Sequence, residues 1–337
     1  MAVAMLSSGQ RKVVSIAAIA ILVILALFST PPRPQDPGED HSFLTIWNAG
    51  NSKPELPPQP RLPPSAPAPV GLIPKHIWQI FFYDQTNPSV LENVATWHSL
   101  NPDCSYTRLT RPGSEEFVKE HFASHPELVE LYMNLRLPML RGDLLRYMIL
   151  AARGGVYADM DVSAVQSLRK WVPKQFRNRA AAVVGIEFDK GDGQMLSGFT
   201  HEVQFASWTL ASAPGHPLLK LAVDTIKDRL YALAEKQNCT LSELEPSDDD
   251  ILETTGPASW TTIVLEALSR SAQRPVSFAD ISGLQEPTLF GDMLVLTIDG
   301  FAGNVPHSGA GTHPEWSLIR HGFAGTWRGS GDREQGD

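Results

Sequence analysis

Two carboxylates, Asp159 and Asp161, lie one residue apart at the end of the segment RGGVYADMDV, which begins at Arg153. Like charges this close repel each other unless a cation lies between or near them. Hard carboxylate oxygens beside a phosphate-bearing substrate suit Mg²⁺ or Mn²⁺. The spacing therefore predicts a clamp for a divalent metal and a diphosphate group.

The segment before this pair predicts a helix that would support it. In PMLRGDLLRYMILAARGG, apolar residues recur at helical spacing, and Gly154 and Gly155 provide the stop. The other helix face carries Asp143, Arg146 and Tyr147 at i, i+3 and i+4, which brings a carboxylate close to a guanidinium. A plain surface ion pair is the competing interpretation.

After the glycines the sequence alternates as a β-strand does. Tyr157, Asp159 and Asp161 point to one side, and the apolar residues between them point to the other. In an α/β sheet, ligands collect at the carboxyl ends of strands. This context distinguishes the pair from Asp248-Asp249-Asp250, which also fits D-x-D but lies in a polar segment typical of a solvated helix start.

The rest of the pattern indicates an α/β fold. IPKHIWQIFF is typical of a buried first strand, and strand-like runs recur at AAVVGIEF and DMLVLTI. Helical patterns lie between them at SVLENVATWHSL, EEFVKEHF and HPELVELYMNL. The alternation of strands and helices predicts an α/β sandwich.

Composition and motifs exclude several other classes. The net charge of −9 argues against nucleic-acid binding through phosphate neutralisation. Two cysteines, Cys104 and Cys239, provide neither a disulfide framework nor a Cys-rich zinc site. His201 lacks the second histidine of a zinc protease, and the calcium-loop-like run from Asp189 has Thr200 where a bidentate Glu is required.

The N-terminus predicts a membrane anchor. Arg11 and Lys12 precede an apolar run from Val13 to Phe28, which flanking residues extend to a signal anchor over 13–30. A cleaved signal peptide is the competing interpretation. The positive-inside rule places the tail, residues 1–12, in the cytosol and the remainder in the lumen.

A proline-rich stem follows. Residues 31–70 are crowded with proline, which favours an extended spacer and cannot build a core. We expect this stem to hold a folded domain, residues 71–329, off the membrane, with a short tail at 330–337. The one N-x-S/T sequon that proline does not block, at Asn238, is a candidate glycosylation site and fits a luminal location.

Five blocks together resemble the DxD-type glycosyltransferases of family 32, which include fungal initiation-specific α-1,6-mannosyltransferases of N-glycan outer chains. They span most of residues 71–329 in the family's order. The blocks are IPKHIWQIFF, LRGDLLRYMILAARGGVYADMDV, QFASWTLASAPGHPLLKLAVD, TTGPASWT and LIRHGFAGTWRG.

The resemblance implies a GT-A fold, the Rossmann-like α/β/α sandwich of nucleotide-diphospho-sugar transferases. It implies GDP-mannose as donor, Mn²⁺ as cofactor with Mg²⁺ as the alternative, and transfer to an N-glycan acceptor on glycoproteins with retention of configuration. We expect a single-pass type II protein of the Golgi membrane, with a Golgi mannosyltransferase complex as a candidate partner. The alternatives are a relative that acts on a sphingolipid or another glycan, and a catalytically inactive subunit.

Carried onto this chain, the resemblance assigns Asp159 to the nucleotide and the metal, and Asp161 to the metal directly. Asp143 and Arg146 match the residues before the double glycine that contact the donor sugar and phosphates, and Tyr147, beside them, is a further candidate donor-binding residue.

Trp78 and His321 are further candidates that the resemblance assigns. Trp78 matches a position where this group places a ring near the base, with a core tryptophan as the alternative. His321 is a candidate metal ligand, with a structural role as the alternative. The family usually shows two histidines here, whereas this chain has His321-Gly322.

Retention requires either a carboxylate nucleophile or same-face attack by the acceptor hydroxyl. Glu187 and Asp189, in GIEFDKGDG, are the carboxylates to test as nucleophiles. The segment TGPASWT predicts an acceptor-side loop that includes Thr255, Gly256 and Trp260.

Overall fold

The computed structural model describes residues 73–82, 88–303, 305, 310, 311 and 313–323. They all lie in one compact unit of the chain. The predicted cytosolic tail, signal anchor, stem and C-terminal tail lie outside the described residues. Within the described part, no helix combines the length and the apolar character needed to cross a membrane.

The apolar runs predicted as strands form strands, and others join them. The strands are β1 (His76–Phe81), β2 (Ser105–Thr110), β3 (Gly155–Ala158), β4 (Val162–Ala164), β5 (Ala182–Asp189), β6 (Val203–Phe205), β7 (Thr209–Ser212), β8 (Thr288–Phe290), β9 (Met293–Leu296) and β10 (Ile319–His321).

The helical patterns likewise form helices. They are α1 (Pro88–Leu100), α2 (Arg111–His121), α3 (Pro126–Asn134), α4 (Pro138–Arg153), α5 (Pro217–Gln237), α6 (Asp248–Thr254), α7 (Pro257–Ala272) and α8 (Ile298–Ala302). Short 3₁₀ turns occur at Leu168–Lys170, Lys174–Phe176, Leu241–Glu243, Phe278–Asp280 and Pro314–Trp316.

A mixed sheet runs through the described residues in the order β2-β1-β3-β7-β5-β9-β8, with β6 paired to β5. Strands β1, β2, β3, β5 and β9 point the same way, and β7 is antiparallel to both of its neighbours. The carboxyl ends of these five strands therefore meet at one edge of the sheet. Strand β4 pairs separately with β10, antiparallel.

Alternate strand residues pack on opposite faces of the sheet. On β1, Trp78 joins a core with Leu144 and Met148 of α4, whereas Ile77 joins a second core with Trp97 of α1. Because both faces are covered by helices, the α/β prediction is confirmed.

Helix α4 ends at the predicted double glycine. Gly154 and Gly155 have φ angles of 61° and 105°. A Cβ on Gly155 would lie 2.5 Å from the carbonyl oxygen of His76, and one on Gly154 would lie 2.6 Å from the backbone nitrogen of Pro214. Both the left-handed conformation and the close backbone packing require glycine here.

Two local predictions were wrong. The strand predicted to run through Asp161 ends at Ala158, and residues 159–161 form the connection to β4. The TGPASWT segment is not a loop, because Pro257 begins α7, where its missing N–H and fixed φ suit the first turn. The solvated helix start at Asp248 is confirmed, and Ser247 and Asp250 form a capping box there.

Candidate active site

The turn that contains Asp159 and Asp161 follows the carboxyl end of β3, at the edge where five strands end. Its backbone is held from several elements. The Asp159 amide donates to the carbonyl of Trp208 at 2.9 Å, and its carbonyl accepts from Gln79 Nε2 at 3.0 Å. The Asp161 carbonyl accepts from the Gly322 amide at 2.8 Å. Both carboxylates therefore extend from a fixed backbone.

Asp143 and Arg146 form a buried pair on α4 rather than a surface ion pair. Arg146 is 7% exposed, and its Nη2 lies 2.8 Å from Oδ1 of Asp143. The same nitrogen lies 3.4 Å from Oδ1 of Asp159, which also accepts from the Tyr157 hydroxyl at 2.6 Å. Nη1 of Arg146 donates to the Ser207 carbonyl at 3.0 Å. The predicted helix face thus reaches the acidic turn.

Charge and burial oppose each other in this cluster. Burial raises the pKa of Asp159 and of Asp143, while the neighbouring Arg146 lowers both. Although burial disfavours its charge, these two carboxylates hold the pKa of Arg146 well above its usual range. Asp161 adds a third carboxylate that raises the pKa of Asp159 further. Arg146 pairs with Asp143 and Asp159, and Asp161 adds a third carboxylate beside Asp159, so a cation would relieve the excess negative charge.

Asp159, Asp161 and His321 provide a set of donors for such a cation. Each offers one ligand atom, and the three atoms lie within 4.8 Å of one another. Nε2 of His321 lies 3.4 Å from Oδ2 of Asp161. Two carboxylate oxygens and one imidazole nitrogen suit a divalent metal ion. The three predicted ligands are therefore close enough to share one ion, although His321 is 160 residues from Asp161 in the sequence.

Gly322, which follows His321, packs closely against the acidic turn. A Cβ on Gly322 would lie 3.0 Å from the carbonyl oxygen of Asp161, which already accepts the Gly322 amide. A side chain at this position would require the turn or β10 to shift by a few tenths of an ångström.

The two carboxylates proposed as nucleophiles are both engaged. Glu187 is 8% exposed, and its oxygens accept from Gln204 Nε2 at 3.2 Å and Trp208 Nε1 at 3.4 Å. Burial raises its pKa, and these bonds oppose the rise. Asp189 accepts three bonds, from the Gly191 amide and from the hydroxyl of Ser282 and the amide of Gly283. Asp189 therefore joins two loops.

Trp78 is part of the core, as the alternative interpretation had it. Its ring is 1% exposed, and Nε1 donates to the Gly154 carbonyl at 2.9 Å. It stacks on His76 with centroids 4.0 Å apart. The prediction that it stacks on a nucleotide base is wrong for this conformation, because no face of the ring is open to a ligand.

Thr255 lies in the site, whereas Trp260 is buried behind it. The Thr255 hydroxyl donates to Oδ2 of Asp143 at 2.6 Å. Gly256 is buried just before α7. Trp260 is fully buried and stacks on Tyr147 at 4.9 Å. Because both rings are fully buried, Trp260 cannot contact an acceptor and Tyr147 cannot contact the donor. The roles predicted for these two residues therefore do not fit the structure.

The candidate glycosylation residue, Asn238, is exposed and ends α5 in the left-handed conformation. Its glycosylation stays a prediction.

Sequence reasoning missed two residues that hold the site together. Gln79 is a buried polar residue on β1, which is a signal that could have marked it. Trp208 accepts from the Asp159 amide and stacks on His321 with centroids 4.4 Å apart. No local pattern marks Trp208, because its partners come from distant strands.

Residues 88–177 match the family described as a glycosyltransferase sugar-binding region containing the DXD motif. This part of the chain is similar to that DXD region. It includes Asp143, Arg146, Asp159 and Asp161, whereas His321 lies beyond the matched DXD region.

Relatives that match about three quarters of the chain agree with the DXD region. An initiation-specific alpha-1,6-mannosyltransferase of Schizosaccharomyces pombe is 32% identical over 260 residues, which cover 76% of this chain and 64% of that protein. An initiation-specific alpha-1,6-mannosyltransferase of Candida albicans is 28% identical over 280 residues, which cover 77% of this chain and 73% of that protein. The chain thus spans less than two thirds of the S. pombe relative. These homologues confirm the predicted resemblance.

Among solved structures, the PaToxG glycosyltransferase is similar to this chain, with a TM-score of 0.39 and 14% sequence identity. The similarity covers 58% of this chain and 69% of the PaToxG chain.

Proposed function

We propose that this protein is a metal-dependent α-1,6-mannosyltransferase that transfers mannose from GDP-mannose to an N-glycan core and initiates an outer chain. The observation that carries the proposal is the grouping of Asp159, Asp161 and His321 beside the buried Asp143 and Arg146. The names of the S. pombe and C. albicans relatives support the sugar and the linkage.

The GT-A fold belongs to the same proposal. It is supported by the α/β layers and by the position of the acidic pair just after the carboxyl end of a central parallel strand.

Asp159, Asp161 and His321 would hold the cofactor, which we propose is Mn²⁺, with Mg²⁺ as the alternative. When bound, the ion supplies a Lewis acid that offsets negative charge on the departing diphosphate. Arg146 provides a fixed positive group beside the same carboxylates, and Asp143 and the Ser207 carbonyl keep its guanidinium in place. A guanidinium held in this way can contact phosphate oxygens without reorganising.

We propose same-face attack by the acceptor hydroxyl as the route to retention. Both oxygens of Glu187 and both oxygens of Asp189 accept hydrogen bonds, so neither carboxylate is free to attack the sugar in this conformation. Same-face attack needs no protein nucleophile.

We also propose a type II protein of the Golgi membrane. Its support is the sequence alone: the basic pair before the apolar run, the proline-rich stem and the sequon at Asn238. Glycoprotein N-glycans would then be the acceptors, and a Golgi mannosyltransferase complex would be the expected partner.

The test incubates purified protein with Mn²⁺, a panel of nucleotide sugars and a high-mannose N-glycan, with Asp161→Ala as the matched control. Mass spectrometry and linkage-specific digestion identify the product. One hexose added from GDP-mannose in α-1,6 linkage, absent with the control, supports the proposal.

Two other outcomes would overturn parts of it. Transfer from GDP-mannose only to an inositol-containing sphingolipid would keep the mannosyltransferase and replace the acceptor. No turnover with any donor would reject the enzyme in favour of an inactive subunit.

A further inference from the structure

His321 is a candidate metal ligand without the usual support for its ring. Metal-binding histidines usually donate their second ring nitrogen to a carboxylate or carbonyl, which fixes the ring orientation. In His321, Nε2 faces Asp161, and Nδ1 is buried with no hydrogen-bond partner among the residues that the structure describes. Other contacts must therefore orient the imidazole.

Aromatic rings provide those contacts. The Trp208 ring lies nearly parallel to the imidazole, with centroids 4.4 Å apart and an interplanar angle of 11°. Phe323 meets the imidazole at 62°, with centroids 4.0 Å apart. A parallel stack covers one ring face and limits tilting, while the edge that carries Nε2 stays directed at Asp161.

Trp208 is itself held at both its side chain and its backbone. Its indole Nε1 donates to Glu187 Oε1 at 3.4 Å, and Gln204 binds the other oxygen of Glu187 at 3.2 Å. Its carbonyl accepts the Asp159 amide at 2.9 Å. Trp208 thus contacts two of the three candidate ligands, Asp159 through its backbone and His321 through its ring.

We propose that Trp208, anchored by Glu187, is a positioning residue that places His321 against the acidic pair. This inference rests on the metal site of the proposed function. It also gives Glu187 a role, since a buried carboxylate with both oxygens engaged serves as an anchor for the indole. Neither residue touches the substrate or the ion in this role.

The test measures Mn²⁺ binding directly, without donor or acceptor, by electron paramagnetic resonance of the full chain. Trp208→Leu removes the stack, and Glu187→Ala removes the anchor. Each should raise the Kd for Mn²⁺ about tenfold, at the lower end of the effect usual for groups that orient metal ligands. Glu187→Gln keeps an oxygen that accepts from the indole N–H, so it should restore binding.

Trp171→Phe is the matched control. Trp171 is as buried as Trp208 and packs in the same core, but its Nε1 has no hydrogen-bond partner among the described residues. Its replacement should lower the melting temperature and leave the Kd for Mn²⁺ unchanged. A purely structural role of Trp208 would give the same result as this control.

The outcomes separate the two hypotheses. Wild-type affinity in folded Trp208→Leu would overturn the positioning role and leave the metal site intact. If circular dichroism shows that Trp208→Leu does not fold, the Glu187 variants test the positioning role instead. Equal Kd values for Mn²⁺ in Glu187→Ala and Glu187→Gln would then overturn that role. No Mn²⁺ binding by the wild type would overturn the metal site of the proposed function and this role with it.

Discussion

Thr255→Val removes one hydroxyl from the site and keeps the shape of a fully buried side chain. In the structure that hydroxyl donates to Oδ2 of Asp143 at 2.6 Å, a length typical of a charge-assisted O–H···O⁻ bond. Arg146 binds the other oxygen. Valine therefore leaves one oxygen of Asp143 without its partner.

The expected cost follows from burial. The Asp143 side chain is 14% exposed, so water cannot fully replace the lost bond. A hydrogen bond to a charged group contributes about 1.5–3 kcal/mol. We expect the free energy of unfolding to fall by about 2 kcal/mol, which lowers Tm by about 4–8 °C in a domain of this size. Thr255→Ser, which keeps the hydroxyl and loses one methyl group, should cost about 1 kcal/mol.

The pH dependence separates these two variants. Burial raises the pKa of Asp143, and the Thr255 hydrogen bond opposes that rise, so valine should raise this pKa further. The folded variant then binds more protons than the unfolded chain over a wider range of pH. A folded protein that binds more protons than its unfolded chain loses stability as pH rises. The deficit of Thr255→Val relative to Thr255→Ser should grow from acid to neutral pH and then level off.

Urea unfolding of the purified proteins across that pH range measures the deficit. A difference between the valine and serine variants that is constant with pH would refute the reasoning, because it would show that the lost bond does not involve the charged form of Asp143.

Three further predictions concern other parts of the site and the core. Asp161→Ala should abolish metal-dependent turnover and leave the circular dichroism spectrum unchanged, since this partly exposed carboxylate contributes no core packing; retained activity would contradict the metal assignment. Trp78→Ala should lower the free energy of unfolding by about 3–5 kcal/mol, and a raised donor KM at unchanged stability would instead restore the base-stacking hypothesis. Burial lowers the pKa of His76 from 6.5 to about 4, so between these values the unfolded chain binds more protons and stability falls as pH falls. His76→Gln should flatten this dependence in thermal unfolding, and an unchanged slope would show that another group is responsible.

The parts of the site that are close in sequence could be predicted without the fold. Residues at i and i+3 lie together on any α-helix, so Asp143 and Arg146 were expected to meet, and they do. Gly154 and Gly155 predicted the end of α4, because few residues other than glycine adopt a positive φ. The acidic pair is also local, and the apolar run before it placed it near a strand end, although that strand stops at Ala158 instead of running through Asp161.

Predictions made from the sequence were wrong for residues whose surroundings depend on packing. Trp78 and Trp260 stand in the blocks that carry the resemblance, but both rings are buried against helices. The exposure of a tryptophan ring depends on which other elements pack against it. Periodicity along one strand or helix does not indicate those packing partners.

The sequence by itself determined the helix, its stop, the acidic pair and the types of ligand atom. Only the tertiary structure decided which distant residues complete the site. His321 reaches Asp161 because β10 pairs with β4, and Trp208 reaches Asp159 because β7 pairs with β3 rather than with a strand adjacent in sequence. Strand order is set by burial of the whole sheet between its two helical layers, so these contacts leave no periodic pattern in the chain.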